Sequence, residues 1–248
     1  MTLRFPIFII CRDRVSDLKI LLERLRTVDN IDQIHLIDNN STYPPMVEFL
    51  NETEHNVIRL KKNFGHRVIW EQQIHEELRK AGPYVVTDPD VVPCETVPNN
   101  FLEHFFEILN QYPEVSKVGF GLRIDDLPEF YREKNDVLAW ESHFWKHEIE
   151  SGIFKADIDT TFAMYRASRD GPYTEQYKNC IRTGSPYLAR HLPWYVNSDV
   201  YYEELDYYVQ RSNSRTTWNG KRHGLPGALF NLALIKRKIQ IKLKNYLS

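Results

Sequence analysis

The sequence predicts an α/β fold: a mostly parallel central sheet flanked by helices, then an irregular aromatic-rich second half and a basic C-terminal helix. Three observations predict it. Short apolar runs alternate with longer helix-period stretches through about residue 120. Several of these runs end in polar clusters, where such sheets bind ligands. The first run, Phe5-Pro-Ile-Phe-Ile-Ile-Cys11, is apolar throughout, as expected for a strand covered on both faces.

Phe5–Cys11 is therefore the first strand. Ser16-Asp17 supplies an N-cap candidate for a helix whose stripe is Leu18, Leu21, Leu22 and Leu25. Ile34–Ile37 is the next strand, followed by Asp38-Asn39-Asn40-Ser41. Pro44-Pro45 opens a helix through about Leu50, and Asn56–Leu60 is a third strand. Arg67–Lys80 predicts one helix carrying Val68, Ile69, Gln72 and Leu78. Tyr84–Thr87 is a strand leading into Asp88-Pro89-Asp90; Phe101–Leu109 is a helix and Lys117–Phe120 a strand. Beyond them the chain carries Trp140, Trp145, Trp194 and Trp218, residue types that build cores as readily as sugar sites. Leu225–Leu247 predicts a helix with Leu232, Ile235, Ile239 and Leu243 on one face.

At 248 residues, with 42% hydrophobic and 27% charged, the chain can bury a sizeable core without staples. Its three cysteines, Cys11, Cys94 and Cys180, lack zinc or CxxC spacing and read as buried thiols. The opening apolar run is too short to span a bilayer, which sets the expectation of a cytoplasmic protein. The net charge of −2 is unevenly placed: no acidic residue follows Asp206, while nine Lys or Arg do, from Arg211 to Lys244. Residues 1–212 are expected to form one domain and 213–248 a basic segment able to lie on an anionic membrane surface, or to dock its apolar face on the domain. Basic residues gathered at one end without a recognition motif exclude nucleic acid as a partner.

Asp88-Pro89-Asp90 places two carboxylates in a tight turn, where they can aim oxygens at one Mn²⁺ or Mg²⁺ ion; a capped turn is the plainer alternative. His191, in His-Leu-Pro-Trp-Tyr195, could complete the metal's protein ligands. Asp38, Asn39 and Asn40 suit either a pyrimidine edge and ribose hydroxyl or an Asx turn. Asn63-Phe-Gly-His66-Arg67 precedes a helix whose N-terminus could face phosphate. Asp157 and Asp159 alternate faces if extended, so one could act as general base or stabilise an oxocarbenium ion.

Seven ordered segments carry a family resemblance: Ile7–Arg14 (IFIICRDR), Leu36–Pro45 (LIDNNSTYPP), Asn63–His66 (NFGH), Val85–Pro93 (VVTDPDVVP), Lys117–Leu127 (KVGFGLRIDDL), Ile158–Tyr165 (IDTTFAMY) and Pro186–Tyr195 (PYLARHLPWY). Together they resemble the GT-A glycosyltransferases, and within them the family 2-like bacterial enzymes. The resemblance implies a catalytic domain over 1–212, with a nucleotide-binding half (1–125) and an acceptor-binding half (126–212). It implies metal-dependent transfer of a sugar from a nucleotide sugar, UDP-linked by family habit, to a glycan or lipid-linked acceptor. Bacterial surface polysaccharide synthesis, peripheral to the inner face of the cytoplasmic membrane, is the implied setting. Arg12, Asp38, Asn40, Asn63, His66 and Asp88 would lie at the donor; Asp88, Asp90 and His191 at the metal; Asp159 and Asp157 at the reacting carbon; Trp194 and Tyr195 at the acceptor. The acidic pair usual before the acceptor helix is not evident, and Asp159 stands in for it. Two alternatives stay open. A nucleotidyltransferase on a similar fold would want a glycine-rich first loop, which Cys11-Arg-Asp-Arg14 is not; a carbohydrate-binding protein would have little use for the DxD.

Overall fold

Seven consecutive buried residues place β1 (Phe5–Cys11) inside the sheet, as its unbroken apolar run requires. The computed structural model describes residues 3–159, 161–167 and 179–211. The chain divides into two units, Met1–Tyr201 and Tyr202–Ser248. In chain order the first unit carries α1 (Val15–Leu25), β2 (Ile31–Asp38), α2 (Pro44–Glu52), β3 (Asn56–Arg59), α3 (Val68–Glu71) and α4 (Glu76–Ala81). Then come β4 (Tyr84–Thr87), β5 (Val91–Pro93), α5 (Phe101–Gln111), β6 (Lys117–Leu122) and α6 (Lys134–Glu141). A 3-10 turn (Ser142–Trp145) leads to β7 (Glu148–Glu150), β8 (Ile153–Lys155), β9 (Ala163–Tyr165), β10 (Cys180–His191) and a second 3-10 turn (Leu192–Tyr195).

These strands form one sheet in the order β3-β2-β1-β4-β9-β6-β10-β8-β7, with β5 on β10. Pairing is parallel among β3, β2, β1 and β4, and between β6 and β10. The short β9 runs antiparallel between β4 and β6. Cys11 pairs with Asp38 and Ile9 with Thr87, so the carboxyl ends of β1, β2 and β4 share one edge. On one face Phe101 and Phe105 of α5 close on Phe120 and Phe162. Another buried cluster joins Phe8, Val68, Ile69, Ile74, Tyr84, Ile158 and Tyr165.

Two expectations change. The single helix predicted over 67–80 is broken: Gln73 (φ 51°) and His75 (φ 48°) adopt the left-handed conformation. The spacing from Ile69 to Ile74 does not fit a helix face, and the break re-aims Ile74 into the cluster around Phe8 and Tyr84. The N-cap expected at Ser16-Asp17 is also displaced. The helix α1 starts at Val15, Arg14 holds the cap position without a side-chain cap, and Asp17 lies in the first turn.

The second unit contributes α7 (Glu203–Arg211), whose last-turn Arg211 stacks 3.7 Å over Tyr207. Trp218, the helix expected over 225–247 and its membrane reading lie outside the described residues. Among the described residues no helix is long and apolar enough to cross a membrane. Cys11, Cys94 and Cys180 are buried thiols.

His35, 2% exposed, stacks on Phe8 and packs at a tilt of 50° against His75, and its Nδ1 contacts the Asn56 amide at 3.1 Å. An amide nitrogen donates, so Nδ1 accepts and the ring is the Nε2–H tautomer. Burial, and secondarily His75, pull its pKa from 6.5 to about 4, against Asp32. The unfolded chain therefore takes up a proton that the folded chain resists. His35 contributes its stability in full above about pH 6.5, and that contribution falls away toward pH 4. We expect about 1–3 kcal/mol of the acid loss in this window to come from His35. Urea midpoints at pH 7 and pH 4.5 check it: His35→Gln should flatten the dependence, and an unchanged slope would refute the assignment.

Candidate functional site

The site is assembled at the carboxyl edge of the sheet. Asp90 follows β4, and its backbone carbonyl accepts from Leu192 N at 2.8 Å. Val91 pairs with His191 where β5 meets β10, so two segments remote in sequence are fastened together. His191 Nε2 consequently lies 3.5 Å from Asp90 Oδ2. The same oxygen accepts from Arg14 Nη1 at 2.6 Å, and Arg14 Nη2 meets Asp17 Oδ2 at 2.5 Å. Asp90 is 8% exposed. Burial alone would raise its carboxyl pKa, but Arg14 and His191 outweigh that and hold it well below the usual carboxylate range. Asp17 moves the other way: burial raises it, Arg14 opposes, and Asp90 adds to the rise.

Beside this pair the loops after β1 and β2 lock together. Asp13, at φ 51° and fully buried, accepts from Thr42 N (2.6 Å) and Tyr43 N (2.7 Å), while its own N–H donates to Ser41 Oγ (3.1 Å). Asp38, 4% exposed, accepts from Ser41 N at 2.8 Å, which is an Asx-type closure using one of its two oxygens. The Asn39 amide bridges to the next loop, accepting from Phe64 N (2.8 Å) and donating to Gly65 O (3.0 Å). Asn63 caps Gly65 N at 2.8 Å, and Gly65 takes φ +83°, the conformation that favours glycine. Asn40 is left-handed (φ 66°) and half-buried, Arg12 and Asp88 are half-buried, and His66 is exposed. The helix after His66, α3, is four residues long, too short for the phosphate-facing terminus expected there.

A divalent ion of the Mg²⁺ or Mn²⁺ kind takes one or two protein ligands and keeps positions for phosphate oxygens and water. Two ligands of one such ion, at bonds of about 2.1 Å, lie about 3 Å apart. The 3.5 Å between Asp90 Oδ2 and His191 Nε2 fits that arrangement. Among the described residues there is no group of three or more His, Cys, Asp or Glu that could hold a metal. His191 Nδ1 is buried without a hydrogen-bond partner among the described residues. Trp194 orients the ring by packing, edge-on, with centroids 4.7 Å apart.

Trp194 is 1% exposed and so offers packing behind His191 rather than an open face for a sugar. This corrects its expected place at the acceptor. Tyr195 is half-buried; its hydroxyl donates to Asp126 Oδ1 at 2.5 Å, and Arg190 grips Asp126 Oδ2 with two nitrogens at 2.8 and 3.0 Å. Asp126 carries no role in the sequence reading, and Asp17, expected as a helix cap, instead pairs with Arg14. Asp126 meets Arg190 from 64 residues away, a pairing that local pattern does not show, whereas Arg14 lies only three residues before Asp17.

Asp157 and Asp159 are positioned through their backbones. Asp157 O accepts from Arg182 Nε (3.0 Å), and Asp159 O from Lys117 Nζ (3.1 Å), which also reaches Tyr165 OH (3.1 Å). Burial pulls the Lys117 ammonium down to about 8, against nearby Cys180 and Asp159. Asp157 is half-buried and Asp159 exposed. Ala163 pairs with Val86, so this segment enters β9 from the edge where β4 ends. Thr161 Oγ1, just before β9, is buried without a partner among the described residues.

No protein-family model matches the sequence, and no curated protein matches it. Among solved structures, TarS of S. aureus is similar at 10% identity and a TM-score of 0.44, over 76% of this chain and 36% of that one. A mycobacterial protein is similar at 10% identity and a TM-score of 0.42, over 76% and 67%. A cytidylyltransferase from Leptospira borgpetersenii serovar Hardjo-bovis is similar at 12% identity and a TM-score of 0.37, over 71% and 68%. The chain thus spans about a third of the length of the full TarS chain.

Proposed function

We propose that the chain is a glycosyltransferase that moves a sugar from a nucleoside-diphosphate sugar, UDP-linked by preference, to a glycan or lipid-linked acceptor. The observation that carries the reading is the meeting of Asp90 and His191, 3.5 Å apart, at the carboxyl edge of a parallel sheet. In this reading Asp90 and His191 would hold Mn²⁺ or Mg²⁺; Asp88, expected as a third ligand, forms no group of three with them among the described residues. A bound ion there supplies Lewis-acid neutralisation of the leaving diphosphate.

The remaining steps belong to the chain's own groups. Asp38 and Asn40, with Arg12 at the rim, receive the base and ribose, since the loop lock leaves one Asp38 oxygen beyond its bond to Ser41 N. The Asn63–His66 turn, fixed by Asn39, forms the neighbouring wall. Asp159, on a backbone anchored by Lys117, is the carboxylate proposed to accept the acceptor's hydroxyl proton, with Asp157 as its partner on the same segment.

Ligand linkage gives the direct test. A nucleoside diphosphate at about 100 times its dissociation constant stabilises a protein by about 2.7 kcal/mol. For a chain of this size that is a rise in Tm of about 5–10 °C. The shift is expected with Mn²⁺ and should be largely lost on adding a chelator. Absence of a shift across the common nucleoside diphosphates and nucleotide sugars would remove the reading. Release of pyrophosphate from a triphosphate and a sugar phosphate would turn it to a nucleotidyltransferase.

A further inference from the structure

We propose that Arg14 is a resident counter-cation of this site that makes divalent-ion binding and diphosphate binding depend on each other. The inference rests on the glycosyltransferase reading for the identity of the ligand, but its geometry is independent of it. Asp90 Oδ2, the oxygen that faces His191 Nε2 at 3.5 Å, is also the oxygen that accepts from Arg14 Nη1 at 2.6 Å. A metal shared by Asp90 and His191 therefore meets a guanidinium already on its carboxylate. Arg keeps its charge at any working pH, so the two cations repel unless an anion arrives with the second.

Arg14 is also held in an unfavourable place. It occupies the N-cap position of the eleven-residue helix α1, where the helix dipole repels a cation. Two carboxylates offset this: Asp90 at 2.6 Å, and Asp17, one turn into the same helix, at 2.5 Å. The three side chains are each less than a fifth exposed and sum to one negative charge. That charge attracts a dication only weakly. A diphosphate changes the balance, because a guanidinium binds phosphate oxygens with its planar fork as well as it binds carboxylate. Arg14 can then turn from Asp90 to the diphosphate, freeing the carboxylate for the metal. Asp17 keeps hold of the other guanidinium nitrogen and sets how far the side chain swings. Arg14 and Asp17 are thus positioning residues, acting on Asp90 and on the phosphates.

The test is titration of Mn²⁺, read by the electron paramagnetic resonance of the free ion, without nucleotide and with UDP, GDP, CDP or ADP. The wild-type chain should bind Mn²⁺ weakly alone and about tenfold more tightly with the preferred diphosphate. Arg14→Met should bind Mn²⁺ alone about tenfold more tightly than wild type, and the diphosphate should add little. Arg14→Gln, run alongside, gives the same readout if the Met variant does not fold. Equal or weaker Mn²⁺ binding by the folded variants, or none by any form, would overturn the proposal. If no diphosphate binds the wild type, the glycosyltransferase reading fails, yet tighter Mn²⁺ binding by Arg14→Met alone would still support the counter-cation.

Discussion

Asp90→Asn is expected to lower turnover of a nucleotide sugar by about 10²–10³-fold and to abolish the Mn²⁺-dependent part of the diphosphate-induced rise in Tm. An asparagine keeps the shape and can still accept from Arg14, but it removes the charge that holds Arg14 and His191 on one oxygen. Arg14 retains Asp17, so the guanidinium is not orphaned and the stability cost at pH 7 stays at about 1–3 kcal/mol. The pH dependence separates this from a general weakening. Because the Asp90 carboxyl is depressed in the folded protein, its contribution is present above the unfolded carboxylate value of 3.8 and is lost as pH falls below it. The difference in stability between wild type and variant should therefore be widest near neutrality and narrow in acid. Turnover within about threefold of wild type would sink the metal-anchor role of Asp90.

The legible part of this fold was the part governed by local pattern. The apolar run of β1 and the polar cluster after β2 announce a parallel half-sheet and the edge that carries Asp38 and Asp90. His191 could be named because it sits in a short motif, but not placed, since its position depends on β10 pairing with β5 and on Leu192 N reaching Asp90 O. That is a long-range pairing without a local signal. The break between α3 and α4 was hidden because Gln73 and His75 are neither glycine nor proline. There, burial of Ile74 overrides the helical preference of its neighbours. Asp17 read as a capping residue because local bonding is what Asp does most often in a first helical turn. Its actual partner is Arg14, three residues earlier, whose other guanidinium nitrogen meets Asp90 in the turn after β4. Trp194 misled for the opposite reason: its composition suits a sugar platform, but the turn after β10 folds it inward beneath His191.

Glu141→Ala should produce the largest loss of stability, about 3–5 kcal/mol or a fall in Tm of about 10 °C. Glu141 and Arg182 form an ion pair at 2.8 Å with side chains 5% and 4% exposed, and the guanidinium lies 3.7 Å from the Phe144 ring centroid. Removing the carboxylate leaves a charge that can neither ionise differently nor reach water. The double variant Glu141→Leu with Arg182→Met should recover most of the loss, because two apolar side chains of similar volume remove the stranded charge along with its partner. It should not recover function equally. Arg182 Nε also fixes the Asp157 carbonyl at 3.0 Å, one of the two backbone anchors of the segment bearing Asp159. A double variant with near-wild-type Tm and a kcat reduced about tenfold would assign the pair to positioning that segment. Differential scanning calorimetry with steady-state kinetics reads both quantities. A single variant melting within about 2 °C of wild type would show that the pair is not the buried brace its geometry implies.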